Sequence, residues 1–463
     1  PVDLAGLTFY DLQIAKADSG DTVNSLAGLT VTNTLTLTSG EWVPGANTHL
    51  VAGTWDSSSG SFAFTEAGST IRLTSGNPGV TTKGLADAFE NLRLDGGGTL
   101  GSDVAVTGVL THESATAISG VGQTLQADGA SLGADMSFSG AGTITFTGAG
   151  TVSLTGDSSL TTSDGTVTFD NPVDGANGLT VDAGGAGTVN VDAVLGPALT
   201  SVSLTGGTIN LGANVSSADG PIGFSGAVVL TAHTTVDSGA GAGDIGFSST
   251  VDDDTTGPWN LTASAGTGAV SFGGVVGTGA ASANRPGDLT VGGTGGTTLG
   301  GAVYLQGGLT VSSGTLTSNG NAIDIAGTLT GGGSVDAGAS TINVGGSMTV
   351  TGFAAGTSTV VMDTATDPVD LAGLTFYDLQ IAKADNGDTV NSTGGITVTN
   401  TLTLTSGEWV LGNNTHLIAD NWDDTNISFT PAAGTIQLTI TDPTIDQGGA
   451  NNFYNLTLDD GAA

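Results

Sequence analysis

Carboxylates outnumber every other ionisable group in this chain, and Asp252, Asp253 and Asp254, just before TTGPW, are their densest run. Such a run could hold Ca²⁺ or share acid/base work if its oxygens converged on one point. Adjacent aspartates on a strand point to opposite faces, so a solvated loop is expected and calcium has no motif behind it. The glycine-rich calcium nonapeptide fails too, since GGAGTVNVD at 184–192 carries Val189 where an Asp should stand. His49, His112, His233 and His416 are far apart in sequence, and no cysteine accompanies them. A lone ligand makes no zinc site, and His49 and His416 both sit in THL, which marks a repeated strand feature.

Enzymes acting on acidic polysaccharides need basic residues to hold the substrate's acid groups. Here Lys16, Arg72, Lys83, Arg93, Arg285 and Lys383 are scattered. No catalytic residue, cofactor site or metal site emerges, and the chain is expected not to be an enzyme. Trp42, Trp55, Trp259, Trp409 and Trp422 are the surface-binding candidates, able to stack on sugars or on neighbouring chains, although a Trp at a coil corner more often packs inward. Sequons at Asn214, Asn260, Asn391, Asn426 and Asn455 matter only in a host that glycosylates asparagine.

The elements that would position these residues are short. TITFTGAG at 143–150, TVSLTGDS at 151–158, SLTTSDG at 159–165 and TVTFDNP at 166–172 alternate apolar with polar residues between Gly, Asp, Asn or Ser turns. Three such strands make roughly 20–24 residues, the span of one turn of a parallel β-solenoid. Stacked coils about 4.8 Å apart would set Thr ladders outside and Val, Leu, Ile and Phe ladders inside, with glycine at the corners. About 20 such coils would form a rod on the order of 100 Å long. The expected fold is thus all-β, an elongated right-handed parallel β-helix with little or no helix. The competing fold, a string of immunoglobulin-like β-sandwiches, would repeat near every one hundred residues, and GLTV at 28–31, 178–181 and 308–311 does not.

The true repeat is longer. Residues 1–18 are identical to 368–385, TVTNTLTLTSGEW at 30–42 returns at 397–409, and FENLRLD at 89–95 faces FYNLTLD at 453–459. A module of about 367 residues is therefore expected, present here as one copy and a fraction of something longer. Its sections are 1–99, a first copy; 100–305, the main solenoid section; 306–367, leading to the next module; and 368–463, the second copy.

Composition narrows the partners. The 463 residues include 79 glycines, no cysteine, and 43 acidic against six basic residues, for a formal charge of -37. That surface repels nucleic acid and anionic lipid, and no apolar run is long enough to span a membrane, so neither nucleic-acid binding nor membrane insertion is expected. The glycines keep no three-residue period, which excludes collagen. A cysteine-free, acidic, soluble chain suits export, and an extracellular or cell-surface location is expected.

TFYDLQIAK, AFENLRLDGG and NFYNLTLDD share the pattern F-x-[ND]-L-x-[LI], and the first leads into LTVTNTLTLTSGEW. This resembles the repeats of giant bacterial surface and exported β-strand-repeat proteins. Residues 188–236 are similar to filamentous-haemagglutinin-like adhesins. The resemblance implies an exported, very long right-handed parallel β-helix serving as stalk, fibre or adhesive layer. A structural protein of the cell exterior is the first expectation, with other copies of the same chain as end-to-end or lateral partners. An adhesin binding cell-surface glycans through loops in 252–290 comes second, and a polysaccharide-active enzyme third.

Overall fold

A computed structural model describes residues 1–65, 68–278, 283–363, 367–448 and 451–459. The described residues form strands and turns, with no helix among them. Each register pairing recorded between strands is parallel, which gives a β-solenoid and rules out immunoglobulin-like sandwiches, whose sheets are antiparallel. The chain divides into two compact units, Pro1–Val228 and Val229–Ala463.

In the first unit the coil length is set by the inter-coil partners. Asn24 reaches Asp3 across 21 residues, Asn190 reaches Thr168 across 22, and Asn210 reaches Asn190 across 20. Strand Thr143–Phe146 pairs with Thr166–Phe169, which pairs with Thr188–Val191, which pairs with the long strand Ser201–Leu211. Alternation then builds ladders. Ile144, Val167, Val189 and Ile209 stack inside, fully buried, while Thr143, Thr166, Thr188 and Thr208 form a ladder on the opposite face. Phe146 and Phe169 stack at 5.7 Å between ring centres. Some strands run around a corner: Leu35–Val43 bends at Gly40, whose φ of +91° admits no ordinary side chain. A Cβ there would also fall 2.7 Å from Lys16 Cβ.

The second unit follows the same rule. Leu261, Leu289, Leu309 and Leu329 make an inner ladder, and Thr235, Thr262, Thr290, Thr310 and Thr330 a register-matched ladder on the other face. The start of the repeated sequence is an ordinary stack. Thr359–Met362 pairs with Asp378–Ile381 of strand Thr375–Ala382, and this strand pairs onward with Thr397–Ser406. Coil coverage decides burial here. Val369, paired with Val390, is 1% exposed.

Aspartate has a structural use throughout. At coil corners its carboxylate accepts a backbone N–H from the next coil: Asp103 from Thr124 (2.8 Å), Asp128 from Gly150 (3.0 Å), Asp157 from Gly178 (2.7 Å), Asp174 from Ala198 (2.9 Å) and Asp288 from Gly308 (2.8 Å). These N–H groups lie where the strand ladder stops, and an acceptor there spares an unpaired donor.

Four tryptophans are internal. Trp42, Trp55, Trp409 and Trp422 are each at most 1% exposed, so they offer no face to a sugar, and their assignment as surface-binding residues is corrected. Trp42 and Trp55 pack at 6.0 Å with Phe64 and Phe89 around them, and the second copy repeats the cluster with Trp409, Trp422, Phe429 and Phe453. The indole N–H of Trp42 donates to Ser25 Oγ and that of Trp409 to Ser392 Oγ, both at 2.8 Å. Trp55 donates to Ser57 Oγ at 3.0 Å, whereas the buried indole N–H of Trp422 has no hydrogen-bond partner among the described residues. Trp409→Ala is expected to destabilise the chain by about 3–5 kcal/mol in urea unfolding followed by circular dichroism, the usual cost of emptying a buried aromatic site.

Candidate functional site

The place where polar and aromatic groups gather outside the core is the broad turn of the second unit that holds Asp252, Asp253, Asp254 and Trp259. Coils here are longer than elsewhere. Asn260 donates its backbone N–H to His233 Nδ1 (3.0 Å) across 27 residues and its side-chain amide to Asp288 Oδ2 (3.2 Å) across 28. The extra residues form the turn. Strand Val251–Asp253 alternates so that Asp253 points inward, 2% exposed, and Asp252 outward.

Asp253 is a strut of this turn. One of its oxygens accepts the Asp254 N–H (2.8 Å) and the other the Trp259 N–H (3.1 Å), and burial raises its pKa against those two bonds. Asp252 is raised as well, mainly by burial. Asp254 faces solvent. A single oxygen of it accepts from the Thr256 hydroxyl (2.7 Å), the Thr256 N–H (2.9 Å) and the Trp259 indole N–H (3.0 Å), and these bonds hold its carboxyl below the usual range. Neighbouring carboxylates with opposite shifts are a pattern met in acid/base pairs. Here, though, the raised member has both oxygens turned onto backbone N–H groups inside the turn.

The weak calcium candidates Asp252, Asp253 and Asp254 are therefore corrected: Asp252 lies on the other face of the strand, and the Asp253 and Asp254 oxygens are taken up by N–H and hydroxyl donors of the turn. Among the described residues no group of three or more His, Cys, Asp or Glu side chains could hold a metal ion.

Trp259 differs from the four internal tryptophans. It is half-buried, with its indole N–H pinned to Asp254 and its ring meeting the exposed His233 edge-on at 5.1 Å between centroids. A fixed aromatic face flanked by imidazole, carboxylate and amide groups can stack on an apolar sugar face and hydrogen-bond its hydroxyls. Arg285, 8% exposed, lies in the same loop region; its Nη2 pairs with Asp324 at 2.7 Å and its guanidinium sits 5.1 Å from the centre of the Tyr304 ring. Of ASANRPGD at 281–288, Ala281 and Ser282 lie outside the described residues.

His49 and His416 form equivalent clamps inside the coil. Nδ1 accepts the N–H of Leu29 or Ile396 from the preceding coil, at 3.1 and 3.2 Å, and Nε2 faces the carbonyl of Pro44 or Leu411 at 3.1 Å. An acceptor at Nδ1 fixes the neutral Nε2–H tautomer. His112 is equally buried, with Nε2 3.3 Å from the Asp135 carbonyl. Sequence reasoning missed both these clamps and the column His233, Asn260 and Asp288. Only the THL repeat hinted at the former; the latter needs the coil lengths.

No family model, curated protein or solved structure matches the chain.

Burial lowers the His49, His112 and His416 pKa values below the ordinary 6.5, so the unfolded chain takes up protons before the folded one. Their contribution to stability is complete above pH 6.5 and declines as pH falls below it. Urea midpoints measured between about pH 7.5 and 5.5 are expected to fall less in the double variant His49→Gln/His416→Gln than in the parent chain. Asp254→Ala is expected to release the Trp259 indole and shift its fluorescence emission to the red, a change absent from the variant if the ring is held by packing alone.

Proposed function

We propose that this chain is a section of a non-enzymatic structural protein of a bacterial cell exterior, a β-helical fibre or surface layer lengthened by repeating one module. The observation that carries the reading is the start of the repeat at 368. Its first long strand receives the preceding coil through the same parallel register that joins any two coils, so modules add without a special joint. Stiffness follows from backbone pairing continued from coil to coil. Extracellular placement is supported by the absence of cysteine and by the charge of -37, which keeps neighbouring chains apart unless cations bridge them.

A second reading, an adhesin, is favoured by one observation: the pinned, half-exposed Trp259 beside His233 on an enlarged turn. In that case the fibre presents a glycan-binding face, and Trp259→Ala removes glycan binding while leaving assembly intact.

Electron microscopy of the native cell exterior, with antibody to this chain, tests the structural reading. Labelled filaments or sheets are expected on intact cells. Chelator in low-salt buffer should loosen lateral bundles and leave single filaments whole. Labelling confined to the cell interior would overturn the proposal.

A further inference from the structure

Two of the six basic side chains are neighbours in the fold. Strand Thr70–Leu73 pairs with Asn91–Leu94 so that Arg72 lies directly opposite Arg93 on the outer face. Like charges placed opposite each other on adjacent strands destabilise a sheet. One carboxylate serves both: Asp95 Oδ2 accepts from Arg72 Nε at 2.6 Å and Asp95 Oδ1 from Arg93 Nε at 2.8 Å. Although burial pushes the Asp95 carboxyl up, the two guanidinium bonds leave it lowered.

Each arginine meets Asp95 through Nε, which leaves its terminal Nη groups with donors to spare. Among the described residues they make no hydrogen bond. Glu113 is the nearest further carboxylate, and its Oε2 stays 3.6 Å from Arg93 Nη2 while Ser131 Oγ holds Oε1 at 3.2 Å. That separation exceeds a charge-assisted bond. The two guanidinium groups, both about two-fifths exposed, line a cleft of about 210 Å³ with Asp95, Thr111 and Glu113.

The second copy shows what the coil itself requires. There Gln437 stands for Arg72 and Thr457 for Arg93, in the same register, and Gln437 Nε2 donates to Asp459 Oδ2 at 2.9 Å. The aspartate backbone is held alike in both copies, Asp95 N–H to the Leu73 carbonyl and Asp459 N–H to the Leu438 carbonyl, each at 2.9 Å. The fold closes without any guanidinium. A like-charged pair that the coil does not need, fixed by one strut with donors to spare, has the form of a binding fork.

We propose that Arg72 and Arg93 form an oxyanion site that seats a carboxylate or sulfate group between their Nη groups, with Asp95 as the fixed strut. Glu113 sets its affinity by competing from the rim. The site stands independently of the fibre reading.

Isothermal titration of the full chain with sodium acetate, sodium sulfate and sodium glucuronate, at constant ionic strength held with chloride, tests it. Saturable binding is expected in the parent chain. Arg72→Gln/Arg93→Thr, which installs the second copy's own residues and should keep the parent circular dichroism spectrum, is expected to bind at least about tenfold more weakly. Glu113→Gln is expected to bind several-fold more tightly. Glucuronate binding above acetate would assign the group to a sugar, and equal binding to a free ion; both support the site. Failure of every probe to saturate the parent chain, or equal affinity in parent and double variant, would overturn it.

Discussion

Parallel pairing between successive coils is the interaction on which everything else in this protein depends. No coil satisfies its own backbone. The N–H and C=O groups of Thr166–Phe169 find partners in the coil before and the coil after, and the same holds along both units. A coil also buries its apolar face against its neighbours, as the ladder Ile144, Val167, Val189 and Ile209 does. Stability is therefore a property of neighbouring coils together, and side chains are selected for repetition in register more than for individual contacts.

The corner is where this arrangement is weakest, because the ladder stops while the chain turns. Aspartate solves the problem locally by reaching to the next coil's N–H, and glycine by adopting dihedrals closed to other residues. A strongly acidic composition is then in part a consequence of architecture, since a carboxylate that fastens one coil to another also carries charge to the surface. Basic residues are few, and one of them, Lys83, donates to the Phe62 carbonyl of the preceding coil. Where they occur in pairs, as at Arg72 and Arg93, another explanation is called for.

The coil was legible in the sequence because alternation, turn residues and β-branched ladders all carry a short period. The 367-residue repeat was legible as identity. Tryptophan placement was not, since Trp42 and Trp259 differ in environment through the lengths of the coils around them rather than through their neighbours in sequence. The aspartate run at 252–254 shows the same limit. Alternation correctly separates Asp252 from Asp253, but the turn that folds Trp259 back over Asp253 and Asp254 depends on residues that no periodicity describes. His233, Asn260 and Asp288 are brought together by coils of 27 and 28 residues, so a fixed repeat length would have misplaced them. The second copy shows which features the coil can lose, since Gln437 and Thr457 take the places of Arg72 and Arg93 in the same register.

The identity of residues 1–18 with 368–385 has a further consequence for how the chain reaches this structure. Strand Thr359–Met362 docks on Asp378–Ile381, yet the same letters occur at residues 11–14. A chain diluted from denaturant meets both docking surfaces at once, and an incorrect choice closes a loop of more than three hundred residues or joins two molecules. Duplicated interfaces of this kind favour entanglement and strand exchange between copies. A chain that emerges from one end and winds as it emerges meets them one at a time, so the order of emergence supplies the information that the repeated sequence lacks.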